Sequence, residues 1–182
     1  HRMQSYSSIF IYDNTIYRYG GYGYWGVRKI ITKYNFETQE WEKVKVKSKN
    51  EPTGRFDPLT FVKGDDLYLI GGTGLNISDN RYTFHDIWKF NFKSSEWENL
   101  GTINSPEFIF DTFQSTNNFF GSLGIYDFEN TTFYSLDKET LYLKTFQKSH
   151  FFQKIIKGFM PFSMDDDTLV SVINIGDGIF LR

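Results

Sequence analysis

The run Gly21-Tyr22-Gly23-Tyr24-Trp25-Gly26 matches G-x-G-x-x-G, the spacing with which a strand, a tight turn and a helix cradle the phosphates of a dinucleotide. That chemistry needs a helix opening on the last glycine and an acidic residue ~20 positions on. A strand before the run is plausible at residues 15–19, and Glu40 or Glu42 could stand as the acid. The helix is missing. Residues 27–36, "VRKIITKYNF", are β-branched and aromatic, with no N-cap leading into an apolar helical stripe. Metal chemistry fares no better. His1, His85 and His150 are far apart and lack metal-ligand spacing. Asp165-Asp166-Asp167 look like cation ligands in isolation, but the calcium-loop pattern D-x-[DN]-x-[DN]-G is absent. With no cysteine, disulfides, zinc-thiolate sites and Cys nucleophiles are excluded for these residues. No G-x-S-x-G, H-E-x-x-H or P-loop occurs. The sequence therefore calls for no cofactor, no metal and no catalytic group.

The glycines need another explanation, and composition narrows the search. The 182 residues include 20 Phe and 12 Tyr but no Ala. Ala is the best helix former, while aromatic and β-branched residues suit pleated surfaces, so the balance predicts an all-β fold. A formal charge of −2 leaves no basic footprint for nucleic acid. The alternating "KVKVK" at 43–47 reads as the wet face of a strand. No apolar run reaches transmembrane length.

Internal repetition supplies the explanation. Gly20-Gly21 and Gly71-Gly72 lie 51 residues apart, each closing a short strand that follows a polar turn, Asp13-Asn14 or Gly64-Asp65-Asp66. Downstream, "IITKYNFETQEWEKV" aligns with "DIWKFNFKSSEWENL", and Trp41 and Trp97 lie 56 apart. The second unit thus carries a loop five residues longer after its glycines, where added length costs little. A third unit keeps the frame loosely, with Tyr134 seven residues before Leu141 as Tyr34 precedes Trp41 and Phe90 precedes Trp97. The repeat alignment makes Asp165-Asp166-Asp167 the corresponding hairpin turn of a fourth unit. Four strands are expected per unit: near 7–12, 15–19, 29–35 and 41–46 in the first, and 58–63, 66–70, 86–91 and 97–100 in the second.

A strand ending in Gly-Gly, then an aromatic before a polar turn, then Trp, resembles the kelch motif. Arg2 and Arg55 match the family's frequent Arg ahead of the first strand, and Asp86 its acid before the third. The resemblance implies four-stranded antiparallel blades of a β-propeller, ~50 residues each, here a segment of an incomplete ring. The expected divisions are 1–50 and 51–103 as kelch blades, 104–150 as a degenerate blade and 151–182 as a partial one. The third unit departs from the family pattern by placing "GSLGIY" where Gly-Gly belongs and Leu141 for Trp. An unclosed arc would need further blades or a second copy to cover its ends.

Kelch proteins that bind peptides do so through loops after the glycine pair and segments leading into the first strand. By resemblance these are Tyr22, Tyr24 and Trp25; Thr73, Asn76, Asn80, Arg81 and Tyr82; and Gln4 and Asp57. Such residue types combine rigid area with polar handles. The expected function is a noncatalytic module that recognises a protein or peptide. The alternative is a carbohydrate-active enzyme similar to the sialic acid mutarotases, with Arg18, an unusual charge in an apolar strand, lining a central channel. The galactose-oxidase-like copper mechanism is excluded by the missing cysteine.

Overall fold

The computed structural model describes residues 4–24, 26–76, 78, 80–104, 113–119, 122–127, 132–146, 162–163, 169–170, 172–175 and 178–181, with side chains from 134 to 144 in the later part. Two compact units divide at residue 111. Every regular element among the described residues is a strand. In the first unit, β1 (Ser8–Tyr12), β2 (Thr15–Tyr19), β5 (Ile31–Asn35) and β6 (Glu40–Lys43) form one antiparallel meander. A small hairpin, β3 (Tyr22–Gly23) and β4 (Gly26–Val27), interrupts it after the first glycine pair. The second meander is β7 (Leu59–Lys63), β8 (Asp66–Ile70), β11 (Asp86–Asn91) and β12 (Glu96–Thr102), interrupted by β9 (Thr73–Leu75) and β10 (Arg81–Thr83). The second unit contains a third meander, β13 (Phe113–Phe119), β14 (Ser122–Asp127), β15 (Thr132–Leu136) and β16 (Leu143–Phe146). Two further strand pairs follow, β17 (Phe162–Ser163) with β18 (Leu169–Val170), and β19 (Val172–Ile175) with β20 (Gly178–Leu181).

The strands expected at 15–19, 66–70 and 86–91 are observed at those bounds. One expectation fails at 41–46, because β6 stops at Lys43. The chain then crosses toward the second meander: Lys47 N donates to Ser95 O, while Val44 and Val46 pack on the core between the sheets. The alternation of "KVKVK" is real, but it belongs to a connecting segment.

A second correction concerns the third repeat. Each outer hairpin turns on an Asn or Asp whose side-chain oxygen accepts from the backbone N–H groups two and three residues on. Asn35, Asn91 and Asp137 all do so, at 2.8–3.1 Å. The residue four positions on closes the turn in the left-handed region: Gln39, Ser95 and Leu141, with φ of 57°, 62° and 56°. Leu141 is therefore the turn residue, not the counterpart of Trp41 and Trp97. Register gives that place to Leu143, paired with Leu136 as Trp41 pairs with Tyr34 and Trp97 with Phe90. Both leucines are buried.

The first unit's core lies between its two meanders. Phe10, Tyr19 and Ile31 of the first sheet meet Leu67, Leu69, Trp88, Phe90 and Trp97 of the second. The Tyr19 and Trp97 rings stand 5.5 Å apart, edge to face. The pairing of the rim is polar, with Ser8 Oγ and Thr60 Oγ1 2.6 Å apart and the Tyr12 hydroxyl donating to Asp65.

Candidate functional site

The glycine pairs end β2 and β8 and build the rim from which the loops project. Gly20 and Gly21 have φ of 72° and 89°, and Gly71 and Gly72 have 57° and 97°. At Gly20 a Cβ would sit 2.3 Å from the Arg55 carbonyl oxygen, so only glycine lets the second repeat's leading segment cross here. This is the physical reason for the G-x-G-x-x-G match: backbone crossing, with no helix after it.

Arg55 locks that crossing. Its side chain is wholly buried, with Nη1 donating to Gly71 O at 2.8 Å and Nε to Thr53 O at 3.0 Å. The Asp86 carboxylate accepts two parallel bonds from the guanidinium, at 2.5 and 2.9 Å, and a third from Trp88 Nε1 at 2.6 Å. The Phe84 ring covers the cation at 3.9 Å. Beside it, burial pushes the Tyr19 hydroxyl well above its ordinary pKa, with Arg55 pulling the other way. That hydroxyl makes no hydrogen bond of normal geometry. The arrangement is structural, since every charge in it is satisfied within the fold.

The sequence reading paired Arg55 with Arg2, which lies outside the described residues. The structural counterpart is Gln4, 51 residues earlier: its Nε2 donates to Gly20 O at 2.8 Å, and its Oε1 accepts from Thr32. Gln4 and Thr73 are enclosed side chains, the latter completely. Asn76 ties its own loop, its Oδ1 accepting from the N–H groups of Ser78 and Asn80 at 2.9 and 3.0 Å. Arg18 lies across the outer face of the first sheet, its guanidinium 4.0 Å from the centre of the Trp41 ring and its Nε bonded to Thr32. Burial, with nearby Arg28 second, lowers its pKa.

The residues left facing solvent gather at the loop rim. Tyr22 and Tyr24 sit on the β3–β4 hairpin, Arg81 and Tyr82 on β10, and Asn80 beside it, all exposed. The two excursions meet through β4 and β9. Arg81 lies 5.6 Å over the Phe56 ring. Trp25 lies outside the described residues. Sequence reasoning passed over Tyr6, which is 69% exposed and held at φ 58° next to Phe56. Its repeat counterpart is Asp57, also exposed and left-handed at φ 49°, whose N–H donates to Tyr6 O at 2.9 Å. Left-handed backbone is costly for a bulky residue and marks places where a fold imposes a conformation. The shared 51-residue spacing was the signal that could have found the pair. Among the described residues no cluster of three metal-ligating side chains occurs, and no helix is long and apolar enough to cross a membrane.

Four-stranded meanders packed face to face define a fold of the β-propeller type. Among solved structures the chain is similar to that of YjhT, a β-propeller, with a TM-score of 0.68 and 16% sequence identity over 92% of this chain. The match spans 58% of YjhT's own length. At that identity the likeness concerns the fold. No family model matches the chain, and none of the curated proteins matches it by sequence.

Proposed function

We propose that the chain is a kelch-type propeller segment, with blades at 1–50, 51–103, 104–150 and 151–182, acting as a noncatalytic module that captures a protein or peptide at the loop rim. The carrying observation is the exposed, backbone-constrained Tyr6 beside Asp57, continuous with the exposed Tyr22, Tyr24, Arg81 and Tyr82. Rigid aromatic area interleaved with an exposed guanidinium is the composition that dominates binding energy at interfaces. The alternative, a carbohydrate-active enzyme, would rest on Arg18, whose guanidinium lies over Trp41 and whose Nε donates to Thr32.

The test is selection of peptides from a displayed random library on the purified chain, followed by titration of the selected peptides. Arg81→Ala, Tyr24→Ala and Trp25→Ala are expected to weaken capture about tenfold or more each, with unchanged unfolding midpoints. Wild-type affinity in all three variants would remove the loop rim as the site.

A further inference from the structure

We propose that a cleft at the start of β5 binds a small organic carboxylate with an apolar tail. The inference does not rest on the loop-rim reading. The cleft encloses about 410 Å3, within the range of small-molecule sites, and lies where the chain after β6 parts from β5. In the second sheet the corresponding strands stay together. There β12 keeps its pairing to Thr102, opposite Asp86, and Ile103 N donates to His85 O at 2.8 Å. In the first sheet the pairing stops at Lys43 opposite Thr32, with a last bond from Val44 N to Ile31 O at 2.9 Å. The chain then leaves toward Ser95, and a space opens beside the first residues of β5.

Charge gathers where the space is. Lys29, Lys43 and Lys45 line it, in a chain whose formal charge is −2. At the 56-residue offset, their counterparts beside the continuous strand of the second sheet are His85, Asn99 and Gly101. Lysine thus occurs at these places in the repeat that opens, and not in the one that stays closed. The floor is apolar: Ile31 is buried, and Val44 and Val46 are partly buried against the core. A lining with exposed cations over apolar side chains suits an anion with a hydrocarbon body. Glu51 shows the head group. Its carboxylate, itself part of the lining, reaches Lys29 at 2.6 Å, while Lys43 and Lys45 have no ion pair among the described residues. Ser48 adds a neutral donor, since its Oγ accepts from Trp97 N at 2.9 Å and keeps its own proton to give.

The test is titration of the 15N-labelled chain with hexanoate at fixed ionic strength, with hexanol and inorganic phosphate as matched probes. Hexanoate is expected to shift the amide signals of Lys29, Ile31, Lys45 and Ser48 saturably, and both other probes to bind at least about fivefold more weakly. Lys43→Gln/Lys45→Gln should weaken hexanoate about five- to tenfold, and Glu51→Gln, which releases Lys29, should strengthen it about two- to fivefold. The same spectra report whether each variant is folded. Hexanol binding as well as hexanoate overturns the inference by reducing the cleft to an apolar patch. Phosphate binding as well as hexanoate overturns it by leaving charge alone. Shifts scattered over lysines elsewhere, or unchanged affinity in both folded variants, also overturn it.

Discussion

The two sheets of the first unit begin in the same way and are locked by different chemistry. In both, a side chain four residues before the first strand donates to the carbonyl of the pair's first glycine at 2.8 Å: Gln4 to Gly20, Arg55 to Gly71. Around Arg55 the fold assembles an acid, an indole donor and an aromatic cover. Around Gln4, among the described residues, it supplies the Thr32 hydroxyl, and the place of Asp86 is taken by Ile30. The difference teaches that the requirement is satisfaction of the glycine carbonyl. A buried guanidinium brings the further need for a counter-ion, whereas a neutral amide does not.

Breaking the charged lock has the largest expected effect. Asp86→Ala leaves Arg55 buried without its partner and should cost about 3–5 kcal/mol in urea unfolding followed by Trp fluorescence. The double variant Arg55→Gln/Asp86→Ile imports the first sheet's solution and should recover more than half of that loss. No recovery would show that the two locks are not interchangeable. Next come the indoles. Trp97→Ala should cost about 3–5 kcal/mol, whereas Trp41→Ala, at a half-buried position, should cost less than half as much in the same assay. Gln4→Ala removes the neutral lock and should cost about 1–2 kcal/mol. The smallest effect is in pH. Hydrogen bonds from Lys93 and then Tyr12 hold the Asp65 carboxyl below its usual pKa. A depressed folded pKa stabilises the protein above the unfolded value, and that contribution is lost as pH falls through the folded one. Urea midpoints measured downward from pH 6 should therefore drop across the acid range, and Asp65→Asn should flatten the slope slightly.

The repeat was legible because its signals are local: turn residues, alternation and paired glycines fix strands within a few positions. The hairpins β3–β4 and β9–β10 were not legible, since two- and three-residue strands carry no periodicity. The match of Arg2 to Arg55 rests on residue type and lies outside the described residues, whereas the 51-residue offset leads to Gln4. Leu141 was misplaced for the opposite reason. Spacing from Tyr134 looked right, but the Asp137 side chain sets the turn two residues later. At the site, the exposed tyrosines followed from loop position. The enclosure of Thr73 depends on Phe56 bridging it from a distant segment, which no local pattern reveals.

The Asx corner shared by Asn35, Asn91 and Asp137 bears on how the chain acquires its structure. A turn held by hydrogen bonds spanning two to four residues can close before any distant strand has arrived, so assembly can start at three separate corners. The glycine crossings, which join segments dozens of residues apart, would then come last. Asp137→Ala should accordingly slow refolding of the third meander more than it speeds unfolding.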